Sequence, residues 1–76
     1  MKLKNLIREE KLKQNRINTL VKWYEDRLVT KYQTDRSYAH NYAIREVKDL
    51  IDSSNENGIK WLNTCSKKDF IDELSI

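Results

Sequence analysis

The 76-residue chain contains no proline, one glycine and one cysteine. A β-rich protein of this size needs several tight turns, which usually draw on glycine, proline or Asn-Gly pairs. A single cysteine excludes an intrachain disulfide, and the sequence offers no set of ligands for a zinc or iron–sulfur site. We therefore expect a protein without strands, without a metal and without a cofactor.

Long apolar runs are also absent, and the longest are dipeptides and tripeptides such as Tyr42-Ala43-Ile44. A membrane-spanning helix needs about 20 consecutive apolar residues, and a secretory signal needs an apolar segment of about 7–15 residues behind its basic start. The sequence has neither, which predicts a soluble, cytoplasmic protein with no membrane partner.

Apolar residues are few in total. They make up 38% of the chain, while charged residues make up 36%. A chain this short buries only about 60% of the surface that it exposes when unfolded, so its stability should be marginal unless a partner or self-association adds to it. A folded radius of gyration of roughly 11 Å also leaves no room for a deep cleft between lobes.

What the chain does contain is apolar residues at helical spacing. One stripe has the i, i+3, i+4, i+7 pattern of a buried helix face, and its members are Ile17, Leu20, Val21, Tyr24, Leu28 and Tyr32. A second stripe runs over residues 38–51, and Thr34 or Asp35 can cap the helix that carries it. The short connection predicts an antiparallel helical hairpin formed by residues 17–33 and 36–53.

Two interpretations fit the first 33 residues. Leu3, Leu6 and Ile7 begin a similar stripe, which allows one helix over residues 3–33. At 1.5 Å per residue that helix would be about 46 Å long, which is too long for a compact protein of this mass. We favour a break, a kink or a protruding arm near residues 13–18.

The C-terminal part divides into a loop and a short helix. Residues 53–58 are polar and contain Gly58, which predicts a loop with this glycine near a helix C-cap or a turn. Ser66 and Asp69 form a capping-box pattern, which predicts a helix over residues 67–75. The sequence thus predicts one all-α domain over residues 1–76: a small bundle of three to four helices built on the hairpin, with a basic N-terminal helix or arm (1–16), the hairpin (17–53), and a loop and short C-terminal helix (54–76).

Charge is distributed unevenly along the chain, although the net charge is only +3. Residues 1–16 carry six basic and two acidic side chains, residues 17–45 carry five and three, and residues 46–76 carry four and seven. A basic head of this kind is either simply solvated or contacts an acidic partner, which is a nucleic acid backbone or an acidic protein surface. The contacting side chains would be Lys2, Lys4, Arg8, Lys11, Lys13 and Arg16.

As a nucleic-acid site the basic head is incomplete, because residues 1–16 include no aromatic side chain that can stack on a base. The final helix carries Asp69, Asp72 and Glu73, which would repel phosphates, so a helix-turn-helix that reads DNA with this helix is disfavoured. If DNA or RNA binds, we expect the N-terminal arm to contact it, with Arg36 and Arg45 as further contributors.

No set of catalytic residues can be assigned. His40 is the only histidine, and its spacing to Cys65 does not imply contact. Adjacent carboxylates such as Asp72 and Glu73 point to different sides of a helix, so they do not form an acid–base pair. The sequence predicts a protein that is not an enzyme, with a partly exposed His40 and a semi-buried Cys65.

Aromatic residues are more numerous than so small a core can easily hide. The expected core members are Tyr24, Trp61 and Phe70. The candidates for an exposed patch are Trp23, Tyr38 and the neighbourhood of Arg36 to His40. Because Tyr, Trp and Arg dominate protein interfaces, the predicted partner-binding residues are those of the basic head together with Trp23, Arg36 and Tyr38.

These features predict a non-enzymatic protein-binding module that docks on a larger complex, for example a nucleic-acid-processing or defence complex, and inhibits or modulates it. The Lys-, Asn- and Ile-rich composition is typical of short accessory proteins of AT-rich Gram-positive bacteria, their phages and mobile elements, an association that rests on composition alone. The alternative is a small DNA- or RNA-binding regulator that uses the basic N-terminal segment. A third hypothesis is a self-assembling helical component, such as a homodimer in which the basic head of one chain meets the acidic tail of another.

Overall fold

The computed structural model describes residues 12–75. Within this range the chain forms four helices and no strand: α1 (Gln14–Tyr32), α2 (Arg36–Ser53), α3 (Glu56–Thr64) and α4 (Lys67–Leu74). The predicted fold class, a small all-α bundle, is confirmed. Every helix in this range is too short or too polar to cross a bilayer.

Helix α1 begins at Gln14 because the backbone of Lys13 is extended, with φ −69° and ψ 151°. An uninterrupted helix over residues 3–33 is therefore wrong, and the predicted break falls at Lys13. Leu12, just before it, is buried in the core. At the other end α1 stops at Gln33, whose backbone is left-handed with φ 55°.

Helix α2 begins where the sequence offers a cap. The Asp35 carboxylate accepts hydrogen bonds from the backbone amides of Ser37 and Tyr38, at 3.1 and 3.3 Å. These amides have no carbonyl partner within the helix, so a capping carboxylate stabilises its first turn.

Helices α1 and α2 lie side by side, and their contacts run in opposite chain order. Glu25 of α1 lies beside His40 near the start of α2, whereas Gln14 at the start of α1 shares a groove with Lys48, farther along α2. The surfaces described below are therefore built mainly on this pair of helices.

Helix α3 occupies part of the segment for which the sequence predicts a loop. Asn55 caps it through Oδ1, which accepts a hydrogen bond of 2.9 Å from the amide of Gly58. Gly58 thus lies in the first turn of a helix and not at a C-cap, so that prediction is wrong. The φ angle of Gly58 is not positive, so its backbone conformation does not call for glycine. Glycine is favoured here for a steric reason, because a Cβ at this position would lie 2.9 Å from the Cβ of Ser54.

Helix α4 begins as the capping-box pattern predicts, since the Ser66 hydroxyl accepts a hydrogen bond of 3.2 Å from the amide of Asp69. The core lies where α1 meets α2 and α4, and its largest fully buried side chains are Leu20, Val47 and Phe70. Tyr24 is buried as predicted, whereas Trp61 is half-buried against this core.

Replacing Gly58 with alanine should lower the free energy of unfolding by about 1 kcal/mol. Alanine is the better helix former by about 1 kcal/mol, but forcing an extra methyl group into an occupied space costs about 1–3 kcal/mol, and the new Cβ would meet Ser54. Urea denaturation of the full chain measures the change. The matched control is Asn57→Ala, at an exposed position in the same turn, which should raise the free energy of unfolding slightly. If both substitutions stabilise the protein, the steric constraint at Gly58 is contradicted.

Candidate functional site

Two of the predicted partner-binding residues, Arg16 and Trp23, are half-buried and make contacts within the molecule. The Arg16 guanidinium donates hydrogen bonds to the carbonyl oxygens of Leu62, at 2.6 Å from Nε, and of Cys65. Its central carbon lies 5.1 Å from the ring centre of Trp23. Trp23 is itself half-buried, 5.9 Å from Phe70 between ring centres. Arg16 and Trp23 therefore join α1 to the C-terminal helices.

The remaining members of the predicted basic head divide between the described and undescribed parts of the chain. Lys13 is exposed at the start of α1. Four others lie outside the described residues, namely Lys2, Lys4, Arg8 and Lys11. Contact between the head and a partner stays a prediction.

Arg36, a third predicted partner-binding residue, is joined to a buried carboxylate. Glu25 is only 6% exposed and is the one buried charged side chain within residues 12–75. Nη1 of Arg36 donates to Oε2 of Glu25 and, at 3.2 Å, to Asp26. Because a carboxylate only accepts, His40 donates to Oε1 through Nδ1, at 2.8 Å. Both oxygens of Glu25 are therefore paired from α2.

These partners determine the charge state of Glu25. Burial raises the pKa of its carboxyl group, but the hydrogen bonds from His40 and Arg36, together with the charges of these two groups, lower it by more. The net result is a pKa below the ordinary value of 4.5. Glu25 is ionised at neutral pH and serves as a fixed anion between the helices.

The fourth predicted residue, Tyr38, lies on an exposed aromatic surface of α2. Tyr38 is 61% exposed, and its ring centre lies 6.1 Å from that of Tyr42, one turn farther along. The Arg45 guanidinium lies over the ring of Tyr42, at 5.8 Å. We call Tyr38, Tyr42 and Arg45 the tyrosine face.

Tyr24 of α1 supports the tyrosine face from below. Its buried ring lies 6.1 Å from the ring of Tyr42. Burial, followed by the charges of Glu46, Tyr42 and Tyr32, raises the pKa of Tyr24 to about 12. Tyr24 therefore stays neutral at physiological pH and acts as packing surface.

At the end of α1, exposed Tyr32 has the Lys31 ammonium 5.5 Å from its ring centre.

The described residues contain no group of three or more His, Cys, Asp or Glu side chains that could hold a metal ion. Cys65 is a free, buried thiol. His40 is committed to Glu25. The exposed aromatic and charged side chains described above offer a surface for non-covalent contact.

Sequence reasoning found Tyr38 but missed its neighbours Tyr42 and Arg45 as members of one surface. The signal was present, because positions 38, 42 and 45 follow the i, i+4, i+7 spacing of a single helix face. The sequence signal for the role of Glu25 is weaker. Arg36 and His40 lie four residues apart on one face of α2, but their common partner is 11 and 15 residues away in the chain.

Comparison with known proteins provides no family assignment. No family model matches the chain, and neither the curated proteins nor the solved structures gave a match. The function must therefore be inferred from the described side chains.

Replacing Glu25 with glutamine should lower the free energy of unfolding at pH 7 by about 1.5–3 kcal/mol, the range for hydrogen bonds to charged groups. The substitution should also weaken the dependence of the free energy of unfolding on pH in the acid range. A folded-state pKa below 4.5 means that the wild-type stabilisation is complete above the ordinary glutamate pKa and is lost as the pH falls through the lower, folded value. Urea denaturation at neutral and acid pH measures both effects. Glu73→Gln, at an exposed position of α4, is the control; identical behaviour of the two variants would contradict the role of Glu25.

Proposed function

We propose that the protein is a non-enzymatic protein-binding module whose tyrosine face contacts a partner protein. The observation that carries the proposal is the exposed ring of Tyr38, which continues into Tyr42 and Arg45. Tyr and Arg are enriched among the residues that supply most of the binding energy in protein interfaces. A surface of this composition is suited to binding.

The packing of Tyr42 within the tyrosine face also supports the proposal. The ring of Tyr42 is packed between those of Tyr24 and Tyr38, and its backbone belongs to a helix that is capped and held against α1. Side chains that are ordered before binding lose less conformational entropy in the complex. The face therefore presents its aromatic area at a low entropic cost.

Arg45 indicates the chemistry of the partner. Its guanidinium lies over Tyr42 and forms no ion pair within residues 12–75. A carboxylate at the rim of the partner's interface would pair with it bidentately while an apolar group covers Tyr38. The partner surface that we propose is apolar at its centre and acidic at its rim, and occupation of such a surface on a larger complex would inhibit or modulate that complex.

The alternative function, DNA or RNA binding, depends mainly on the basic N-terminal segment, which lies largely outside the described residues. Of the two further cations expected to contribute, Arg36 is joined to Glu25 and Asp26. The commitment of Arg36 favours the protein-binding proposal over the nucleic-acid one.

Affinity purification from the native host, followed by mass spectrometry, tests the proposal. The double variant Tyr38→Ala/Arg45→Ala should retain at least about tenfold less of the partner than the wild type, since truncating one central interface residue costs about 2 kcal/mol or more. The control Lys60→Ala/Lys67→Ala alters exposed cations on α3 and α4 and should retain wild-type amounts.

Equal retention by both double variants would contradict the tyrosine face as the contact. In a parallel assay, binding to generic duplex DNA that falls steeply with salt, and that is lost when Lys2, Lys4, Lys11 and Lys13 become glutamine, would favour the nucleic-acid regulator instead. A mass that rises with concentration in light scattering would favour self-assembly.

A further inference from the structure

A second surface lies between α1 and α2, away from the tyrosine face. It is a groove of about 470 Å³. On α2 the groove is lined by positions 40, 44 and 48. Positions 40 and 44 lie about half a helical turn from Tyr38 and Tyr42, whereas Lys48 lies about one turn beyond Arg45, where the two surfaces adjoin. The apolar part of the groove is therefore separate from the tyrosine rings and can be altered independently of them.

The floor of the groove is apolar. It is formed by Ile17 and Val21 of α1 and by Ile44 of α2. Ile44 is 38% exposed and is the one large aliphatic side chain within residues 12–75 that is exposed to this degree. An isolated exposed isoleucine needs no explanation, but this one continues into two further aliphatic side chains in a concave surface. Covering it would remove apolar area from water.

The walls of the groove are basic. Lys22 lines it from α1 and Lys48 from α2. Lys48 forms no ion pair in the part of the chain that the structure describes, and Lys22 is 61% exposed, in a surface pair with Asp26 at 3.5 Å. The acidic side chain that lines the groove, Glu25, already accepts hydrogen bonds on both oxygens. The groove thus offers a partner one cation on each of its two helices.

The shape of the groove favours a helix as its occupant. Its lining runs along α1 from Gln14 to Glu25, which is about 16 Å or three helical turns. An extended peptide would gain no β-type backbone hydrogen bonds here, because the described residues provide no strand edge. A helix satisfies its own backbone and packs its side-chain ridges between α1 and α2.

We propose that this groove binds an acidic amphipathic helix of a partner protein, about three turns long. Apolar side chains of that helix would cover Ile17, Val21 and Ile44, and carboxylates on its two flanks would pair with Lys22 and Lys48. The charge of the walls selects an acidic helix over a basic one. The proposal goes beyond the tyrosine face, since it concerns a second surface and a partner segment of defined chemistry.

Titration of the ¹⁵N-labelled full chain with designed peptides tests the proposal by NMR. The probe is a helical peptide of about 15 residues with leucine along one face and glutamate on both flanks; the matched peptide has lysine at every glutamate position. The acidic peptide should bind at least about tenfold more tightly, a difference of about 1.4 kcal/mol. The shifted amides should cluster around Ile17, Val21 and Ile44.

Two variants locate the contact. Ile44→Glu places a charge at an already exposed position and should abolish binding of the acidic peptide, while circular dichroism shows that the helices are retained. Lys48→Glu leaves one cation and one added anion in the groove and should abolish the preference for the acidic peptide. Lys60→Glu, which makes the same charge change on α3 outside the groove, should leave both affinities unchanged.

Absence of binding, equal affinity for the two peptides, or binding that survives Ile44→Glu would overturn the proposal. A concentration-dependent mass that Ile44→Glu abolishes would also overturn it, by assigning the groove to a second copy of the chain. Tyr38→Ala, which alters the tyrosine face about half a helical turn from groove position 40, should leave binding of the acidic peptide unchanged. Failure of the groove proposal is therefore distinguishable from failure of the proposed function.

Discussion

The arrangement of α1 on α2 depends on one buried anion, the carboxylate of Glu25. A charge removed from water is costly unless it is paired and hydrogen-bonded, and Arg36 and His40 meet this requirement from successive turns of α2. Sliding α2 along α1 by one turn would leave an oxygen of Glu25 without a donor. The apolar contacts of so thin a core are less specific, so the carboxylate selects one register. The groove between these helices follows from that register, as does the contact of Tyr24 with the tyrosine face.

A second polar contact joins the C-terminal helices to α1. Arg16 donates to the carbonyl oxygens of Leu62 and Cys65 at the end of α3, where a helix has carbonyls without intrahelical partners and a negative dipole end. The same guanidinium lies over Trp23, whose ring packs against Phe70 of α4. Arg16 of α1 thus contacts the end of α3 directly and is linked to α4 through the ring of Trp23. Small proteins have little apolar area to spend on such links, and here charged groups supplement it.

Local signals in the sequence predicted much of the secondary structure, and tertiary contacts explain the rest. The spacing of apolar residues predicted α2 as observed and α1 to within three residues at its start, and the Ser66 cap was readable from its residue type. The prediction missed α3 because Gly58 and its polar neighbours resemble a turn, whereas the glycine is required by its approach to Ser54. For the site, residue type identified Tyr38. It could not distinguish a cation available to a partner from one committed within the chain, because Arg16 and Arg36 bind groups that are distant in sequence.

The claim that Glu25 links α1 to α2 is tested most directly by a double-mutant cycle with His40. The variants are Glu25→Met, which removes the acceptors at similar volume, His40→Leu, which removes one donor, and both together. Urea denaturation of the four proteins at neutral pH provides the free energies of unfolding. If the contact is as described, the double variant should be scarcely less stable than Glu25→Met alone, because His40 then has no acceptor left to lose. Losses that simply add would contradict the account.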